Sequence, residues 1–477
     1  MSIEQNHSGS STVTVDPIEL QTISAQEKLP QQQKSFLVRH GLNRIRPTSS
    51  KPTSDGNSSD RNESLPSPTT AVEHTETWKS PAINMYRVPS TFWAFALMGM
   101  NDATYGAIIY YLVDYYGLSY TIISLVFLSP FVGYNLSAVL NNMIHMKFGR
   151  RGVAIMGPLC HILAYIIIVL HPPFPVLVLA YCLSGFGNGL LDAAFNAWIG
   201  VMANANEMLG FLHGFYGLGA TIAPLIATTM ITKAELPWFY WYYVMLGGAV
   251  VELGICVHAF WSDSGARYRE DNPRTSDENG SRFKEALTKA PFARVTWLAA
   301  IFLLGYVGIE VALGGWVVTF MIDIRGGAPF ASGMTATGFW LGITLGRVIL
   351  GFVTPKIGEK LAILIYLPLV MAFELCFWLI PQFYVSAVAV AMQGFFLGPL
   401  FPAAIVACTK LLPKHLHVSA IGFAAAFGGS GGAIFPFAVG ALASSKGVAV
   451  LQPIVLAMLA AIWIVWLGLP RIGKKSE

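Results

Sequence analysis

Three acidic residues, Asp102, Asp192 and Glu310, interrupt stretches of sequence that are otherwise almost entirely apolar. In such surroundings a carboxylate can take up and release a proton, or it can accept hydrogen bonds from a polar ligand. Placing an aspartate at the centre of a membrane helix costs about 2.5 to 3.5 kcal/mol, so each acid must be neutral, paired or exposed to water. These residues therefore indicate a polar site within an apolar protein.

The acid at position 192 belongs to a longer polar pattern. Asn188, Asp192 and Asn196 recur at every fourth residue, which places their side chains in one stripe along a helix. Amides and carboxylates can donate to and accept from the hydroxyl groups of a sugar. Four aromatic residues could stack on a sugar ring, and they are Tyr105, Trp198, Trp316 and Trp340. Each of them could equally be an ordinary packing residue. The predicted substrate-binding residues are Asn101, Asn188, Asp192, Asn196, Trp316 and Gln393.

Composition places these side chains in a membrane protein. The chain is 54% hydrophobic and only 12% charged, with a mean hydropathy of +0.55. Crossing a hydrocarbon core takes roughly 20 helical residues, and continuous apolar runs satisfy their own backbone in lipid only as helices. We predict an all-α protein with about twelve spans, at 90–113, 119–144, 153–171, 175–202, 211–231, 238–261, 294–322, 330–353, 361–380, 383–407, 416–442 and 448–470.

The polar segments divide the chain into parts. Residues 1–88 are rich in Ser, Thr, Pro and Gln and are predicted to form a disordered cytosolic tail. We predict two six-helix bundles at 89–261 and 294–470, a cytosolic loop at 262–293 and a short tail at 471–477. Basic residues concentrate in alternate loops, which predicts that both termini are cytosolic. We expect a monomer in the plasma membrane, with no metal, cofactor or nucleic acid bound.

The two halves of the chain resemble each other. The segment NNMIHMKFGRRG after the second span matches GFVTPKIGEKLA after the eighth, so that Lys147 corresponds to Lys356 and Gly149 to Gly358. The same superposition places Asp102 and Glu310 at nearly equivalent positions and puts Phe401 where a copy of Asp192 would be. This pattern predicts a duplicated six-helix unit, as in transporters whose site lies between two bundles.

These loops resemble those of the major facilitator superfamily, over essentially the whole chain from Ser90 to Leu469. Met146 occupies the position at which the family usually has an aspartate, and Pro355 occupies it in the second copy. The resemblance implies a conformational-switch role for the loop residues, which are Lys147, Gly149, Arg150, Arg151, Lys356 and Gly358. It also implies that spans 1, 4, 7 and 10 line a central cavity.

Within that superfamily, Asn101-Asp102 and Asp192-Ala-Ala-Phe-Asn196 are similar to the fucose permease group of proton-coupled sugar transporters and its eukaryotic relatives. The resemblance implies substrate and proton roles for Asp102 and Asp192, and we assign proton coupling to Asp102 and Glu310. An alternative is that each acid only links neighbouring helices. That alternative is favoured for Glu252 and Glu374, which lie in the sixth and ninth spans.

The predicted function is secondary active transport of a small polar solute such as a sugar, coupled to protons, by alternating access. A nontransporting nutrient sensor and an exporter of a drug or metabolite remain as alternatives. The sequence has no complete phosphate-binding motif, which is Gly-x-x-x-x-Gly-Lys followed by Ser or Thr, and this argues against ATP as the energy source. An enzyme is disfavoured, because no nucleophile or metal-ligand pattern surrounds His161, His213 or His258.

Overall fold

The computed structural model of the protein describes residues 76–271, 284–413 and 416–470. These residues form helices, turns and loops, with no strand among them, so the predicted all-α class is confirmed. Most of the predicted tail 1–88, part of the predicted loop 262–293 and the whole predicted tail 471–477 lie outside the described residues.

Fourteen α-helices are named here in chain order. They are α1 (Asn84–Tyr116), α2 (Tyr120–Ile123), α3 (Leu125–Val169), α4 (Phe174–Ile199), α5 (Ala205–Thr232), α6 (Trp241–Phe260), α7 (Gly265–Asp271), α8 (Phe292–Asp323), α9 (Pro329–Ile357), α10 (Glu359–Leu379), α11 (Phe383–Leu397), α12 (Leu400–Leu411), α13 (His417–Lys446) and α14 (Leu451–Leu467). Single 3-10 turns, Trp238–Tyr240 and Val448–Val450, precede α6 and α14.

The helices account for twelve membrane crossings. Ten segments of the described chain are long and apolar enough to cross a bilayer, and α11 with α12 forms one of them, Phe383–Leu411. The segment Tyr120–Val169 contains two crossings, because Gly149 breaks α3 with a φ of 71° and a ψ of −168°. Helix α1 has 33 residues and supplies the twelfth crossing, since its length exceeds the roughly 20 residues required.

Two predicted boundaries differ from the structure. Helix α1 begins at Asn84, inside the predicted tail, and the Asn84 amide donates to the Glu76 carboxylate at 3.1 Å and to the Thr77 carbonyl at 2.9 Å. The predicted loop 262–293 contains the helix α7 and the start of α8 at Phe292. Composition alone could not show either feature, because contacts that form on folding stabilise these polar segments.

Glycines let neighbouring helices approach closely within each half. A Cβ atom added at Gly99 of α1 would lie 1.9 Å from the carbonyl oxygen of Tyr216 on α5. In the second half, a Cβ added at Gly346 of α9 would lie 1.9 Å from the carbonyl oxygen of Phe395 on α11. Small residues of this kind are the usual means by which membrane helices come into backbone contact.

The two halves also meet each other. We call the membrane face at which α1 begins the basic side, because it carries the loops around Lys147 and Lys356, and the other face the opposite side. Near the opposite side the Thr121 hydroxyl contacts that of Ser444 at 2.8 Å, and the Tyr120 hydroxyl donates to Asp323 at 2.8 Å. These hydrogen bonds join the halves toward the opposite side.

Backbone contact between α1 and α8 supports the same closure. A Cβ added at Gly106 would lie 1.9 Å from the carbonyl oxygen of Gly314, and both glycines lie in the half of their helix nearer the opposite side. The interface reaches mid-membrane at Thr221 of α5 and Thr344 of α9, whose hydroxyls are 3.5 Å apart. The bundles therefore converge toward the opposite side.

Candidate functional site

Asp102 lies where three helices of the first half meet. Its carboxylate accepts hydrogen bonds from the Asn101 amide at 3.1 Å, from the Asn188 amide of α4 at 3.3 Å and from the Tyr216 hydroxyl of α5 at 2.9 Å. All three donors are neutral, and within the described part of the chain no basic side chain forms an ion pair with Asp102. A charge on this acid therefore has no ionic partner.

Asn101 is held in place by its neighbours. Its side chain is 1% exposed, its amide group also donates to the Tyr105 hydroxyl at 2.8 Å, and its oxygen accepts from the Tyr165 hydroxyl at 3.1 Å. These contacts leave Asn101 oriented against Asp102. Its predicted part in substrate binding stays a prediction, although Asn101 is already well supplied with partners inside the protein.

The predicted stripe on α4 exists as a helical face, and its members divide into two groups. Asn188 bonds to Asp102, whereas Asn196 donates to the Asp192 carboxylate at 2.7 Å. The Tyr134 hydroxyl of α3 donates to the other carboxylate oxygen of Asp192. Asp192 and Asn196 are partly exposed, whereas Asn188 is buried.

Glu310 has a charged partner that the sequence analysis missed. The Arg347 guanidinium of α9 lies 2.8 Å from the Glu310 carboxylate of α8 and also donates to the Gly398 carbonyl at 3.3 Å. A basic residue in the apolar segment ITLGRVILG requires a partner in the membrane, which is the signal that could have predicted this pair.

Two predicted substrate-binding residues lie outside the Asp102 cluster. Gln393 is fully buried, and its amide donates to the Glu374 carboxylate at 2.8 Å between α11 and α10. Trp316 is fully buried as well, and its indole N–H donates to the Pro436 carbonyl at 2.9 Å. Each residue binds a neighbouring helix, because a buried donor requires a protein acceptor when water is excluded.

The remaining aromatic candidates also separate. Tyr105 joins the Asn101 cluster, and its ring contacts Tyr181 edge-on with centroids 5.1 Å apart. Trp198 packs edge-on against Phe260 at 5.3 Å. Trp340 is buried against Gly314, at which an added Cβ would lie 2.8 Å from the indole ring. Tyr105 is therefore the aromatic candidate that contacts the polar cluster around Asp102.

The loop at Gly149 contacts a carboxylate from a distant part of the chain. Asp263, which follows α6, accepts from Arg87 at 2.5 Å and from Arg150 at 3.3 Å, and its carbonyl accepts from the backbone N–H of Arg151 at 3.0 Å. A Cβ at Gly149 would lie 2.3 Å from the Asp263 carbonyl oxygen. Asp263 thus supplies an acid at a loop whose own aspartate position holds Met146.

The second copy of the loop is built differently. Gly358 has a φ of 87°, and Lys356 is exposed just before it. Lys410, at the end of α12, binds the Glu359 carboxylate at 2.6 Å. The two loops therefore share the lysine and the left-handed glycine but not their ionic partners.

A buried pair lies behind the site. His161 of α3 and Glu252 of α6 are both fully buried, and the ring Nδ1 lies 2.8 Å from a Glu252 oxygen. The sequence does not reveal Glu252 as the partner of His161, because the two residues are far apart in the chain. Glu252 and Glu374 thus both bond to a neighbouring helix, as the polar-link alternative expects.

The fold and these membrane-embedded acids define a multi-pass membrane protein of the transporter class. The sequence profile of the Major Facilitator Superfamily matches residues 91–334 and 310–477. The chain therefore belongs to the Major Facilitator Superfamily, and the family predicted from the loops is confirmed.

Individual relatives include one fungal and two bacterial proteins. Bypass of stop codon protein 6 of Saccharomyces cerevisiae is 29% identical over 411 residues, covering 80% of this chain and 82% of that protein. The glucose/mannose transporter GlcP of Bacillus subtilis is 21% identical, covering 72% of this chain and 85% of that protein. A glucose/galactose transporter of Brucella abortus is 27% identical, covering 61% and 69%.

Proposed function

We propose that the protein is a secondary active transporter that couples protons to the movement of a small polar solute, probed first with hexoses. The names of the two bacterial relatives, which include glucose, galactose and mannose, support this choice of solute. The polar stripe of Asn188, Asp192 and Asn196 supports it chemically, since amides and carboxylates bind hydroxyl groups in both directions. Transport proceeds by rocking of the two bundles about the site between them.

The observation that carries the proton coupling is the setting of Asp102. Its carboxylate is held by neutral donors from α1, α4 and α5, so binding a proton removes an unbalanced charge from the membrane. Glu310 already has Arg347 as its counter-ion. We therefore assign the transported proton to Asp102, and Glu310 would have to lose Arg347 before it could carry one.

The basic side sets the proposed orientation of the protein in the membrane. We assign this side to the cytosol on the distribution of basic residues, with both termini there and the protein in the plasma membrane. Because the bundles converge toward the opposite side, the described conformation corresponds to a carrier closed to the outside. In this conformation the site would exchange solute with the cytosol.

The test is transport by purified protein in proteoliposomes, with labelled glucose, galactose and mannose supplied with and without a pH gradient. We expect a hexose to accumulate against its gradient when the compartment supplying it is acidic. Asp102→Asn should abolish that accumulation and retain exchange of labelled for unlabelled hexose, because the amide keeps the size and polarity of the acid but cannot carry the proton.

Other outcomes would contradict the proposal in distinct ways. Saturable hexose binding without any flux would instead support a nutrient sensor. Net movement of solute only from the basic side to the opposite side would support an exporter. If Asp102→Asn still accumulates hexose under a proton gradient, then Asp102 is not the coupling residue.

A further inference from the structure

The buried pair of His161 and Glu252 has no role in the proton step described above. Both side chains are fully buried between α3 and α6, with 2.8 Å between Nδ1 and the carboxylate. Tyr165 stacks on the His161 ring with centroids 5.9 Å apart and an interplanar angle of 18°. A buried ionisable residue inside a membrane helix usually has a function as well as a partner.

Two side chains link this pair to the candidate site. Asn188 follows Gly187, at which an added Cβ would lie 2.9 Å from Nε2 of His161, and Asn188 donates to the Asp102 carboxylate at 3.3 Å. Tyr165 donates to the oxygen of Asn101, which in turn donates to Asp102. The pair therefore lies one neutral residue away from Asp102 through Asn188, and two away through Tyr165 and Asn101.

Three atoms in this arrangement lack hydrogen-bond partners. They are Nε2 of His161, the side-chain oxygen of Asn188 and the second carboxylate oxygen of Glu252. Leaving a buried polar atom unpaired is unfavourable, so such atoms usually mark a functional arrangement. Gly187 allows this ring position, because a Cβ there would lie 2.9 Å from Nε2.

We propose that His161 and Glu252 are positioning residues that control, through Asn188, how readily Asp102 binds a proton; this inference rests on the proposed role of Asp102. With Glu252 charged and His161 protonated, Nδ1–H donates to Glu252. Nε2–H then donates to the Asn188 oxygen and holds the amide N–H toward Asp102, which stabilises the Asp102 carboxylate.

Loss of the Glu252 charge changes these hydrogen bonds. The ring then loses its extra proton, and its one remaining N–H serves either residue 252 or the Asn188 oxygen, so the Asn188 amide is held less firmly. Asp102 then loses a nearby positive charge, and its Asn188 donor is less firmly oriented. It should therefore bind its proton more readily, at a higher pH.

Other ionisable groups face this region, and their charges must stay the same when the pair is tested. Tyr165 and Cys256 lie near Glu252, while Asp192 and Tyr216 lie near Asp102. Phenol and thiol groups carry no charge near neutral pH, so Asp192 is the acid whose charge also acts on Asp102. A change confined to Glu252 leaves Asp192 unaltered and isolates the effect of the pair.

The experiment is an infrared pH titration of the purified full chain in lipid nanodiscs, without solute. The carboxylic acid band of Asp102 is identified by its absence in Asp102→Asn. We expect Glu252→Gln to raise the midpoint of this band by about one pH unit, the lower end of shifts caused by a nearby charge. The matched control is Glu374→Gln, since Glu374 is equally buried but bonds to Gln393 in the other half.

The control should leave the midpoint unchanged. His161→Gln should produce the same shift as Glu252→Gln, and the double variant should add nothing further, because the pair acts as one unit. If Glu252→Gln does not fold, His161→Gln is measured in its place. An Asp102 band that titrates with the same midpoint in all variants would overturn the inference. A wild-type protein without any titrating Asp102 band would instead refute the proposed proton role itself.

Discussion

The two bundles hold acids at nearly equivalent positions and balance their charges in different ways. Asp102 in the first half has neutral donors, whereas Glu310 in the second half lies 2.8 Å from Arg347. A paired charge is stable in the membrane but is hard to separate from its partner, while an unpaired acid can be neutralised by a proton. The two halves therefore hold an acid at nearly the same position but give it different chemistry.

The largest expected effect comes from breaking the ion pair of the second half. Arg347→Gln leaves Glu310 without a counter-ion, and removing one partner of a buried ion pair typically costs about 3 to 5 kcal/mol. We expect a large fall in thermal stability and in yield of folded protein, measured on detergent-purified samples. Asp102→Asn, in contrast, should remain folded.

The double variant Glu310→Gln/Arg347→Gln is the control for that prediction. It removes both charges together, so most of the lost stability should return. If Arg347→Gln is as stable as the parent protein, then the ion pair does not hold α8 to α9 and the contrast with Asp102 is lost.

The second effect concerns how the bundles meet. Gly106→Ala places a Cβ 1.9 Å from the Gly314 carbonyl oxygen, so α1 and α8 must separate near the opposite side. Such overpacking typically costs about 1 to 3 kcal/mol, which corresponds to a change of about 5- to 150-fold in a conformational equilibrium. Spin labels at Tyr115→Cys and Ile324→Cys, in a background without the native cysteines, should report a longer distance.

Gly254→Ala provides a matched control, since nothing lies within 4 Å of an added Cβ at that position. It should leave the spin-label distance unchanged. An unchanged distance in Gly106→Ala would show that this contact does not limit opening at the opposite side.

A smaller effect tests whether the polar stripe belongs to the first half alone. Asn196 bonds to Asp192, and Phe401 occupies the corresponding position of Asp192 in the second half. Asn196→Ala should weaken hexose binding by about 0.5 to 1.5 kcal/mol, the usual value of one hydrogen bond. Equilibrium binding of labelled hexose to the purified protein measures this change.

Asn135→Ala is the control, because Asn135 donates to the backbone of its own helix in the same way as Asn196 but has no described bond to an acid. Its hexose affinity should match that of the parent protein. Equal affinities for all three proteins would remove Asn196 from the site.

The smallest effect is expected outside both bundles. Deleting residues 1–75 should leave hexose transport by reconstituted protein within about twofold of the full chain, since such a segment is too polar to bury a core. Extending the deletion to residue 80 also removes Glu76, which bonds to Asn84. A loss of hexose binding after the shorter deletion would place the tail in the site.

The sequence predicted those parts of the site that lie on one helix. The spacing of Asn188, Asp192 and Asn196 fixed their common face on α4, and Asn101 and Asp102 are adjacent in the chain. It did not reveal Tyr216 or Tyr134 as partners of these acids, because each lies on a different helix. It also placed Gln393 with the substrate-binding residues, whereas the structure turns its amide toward Glu374.

By itself, the sequence determined that this protein is a helical membrane protein, because apolar runs of sufficient length and lipid without hydrogen-bond partners leave the backbone no other solution. It also determined the family, through the loops at Lys147 and Lys356. Only the tertiary structure decided which acids are charge-balanced. Asp102 and Glu310 look alike in the sequence, and the difference between them depends on Arg347, a residue brought close to Glu310 by the packing of α9 on α8.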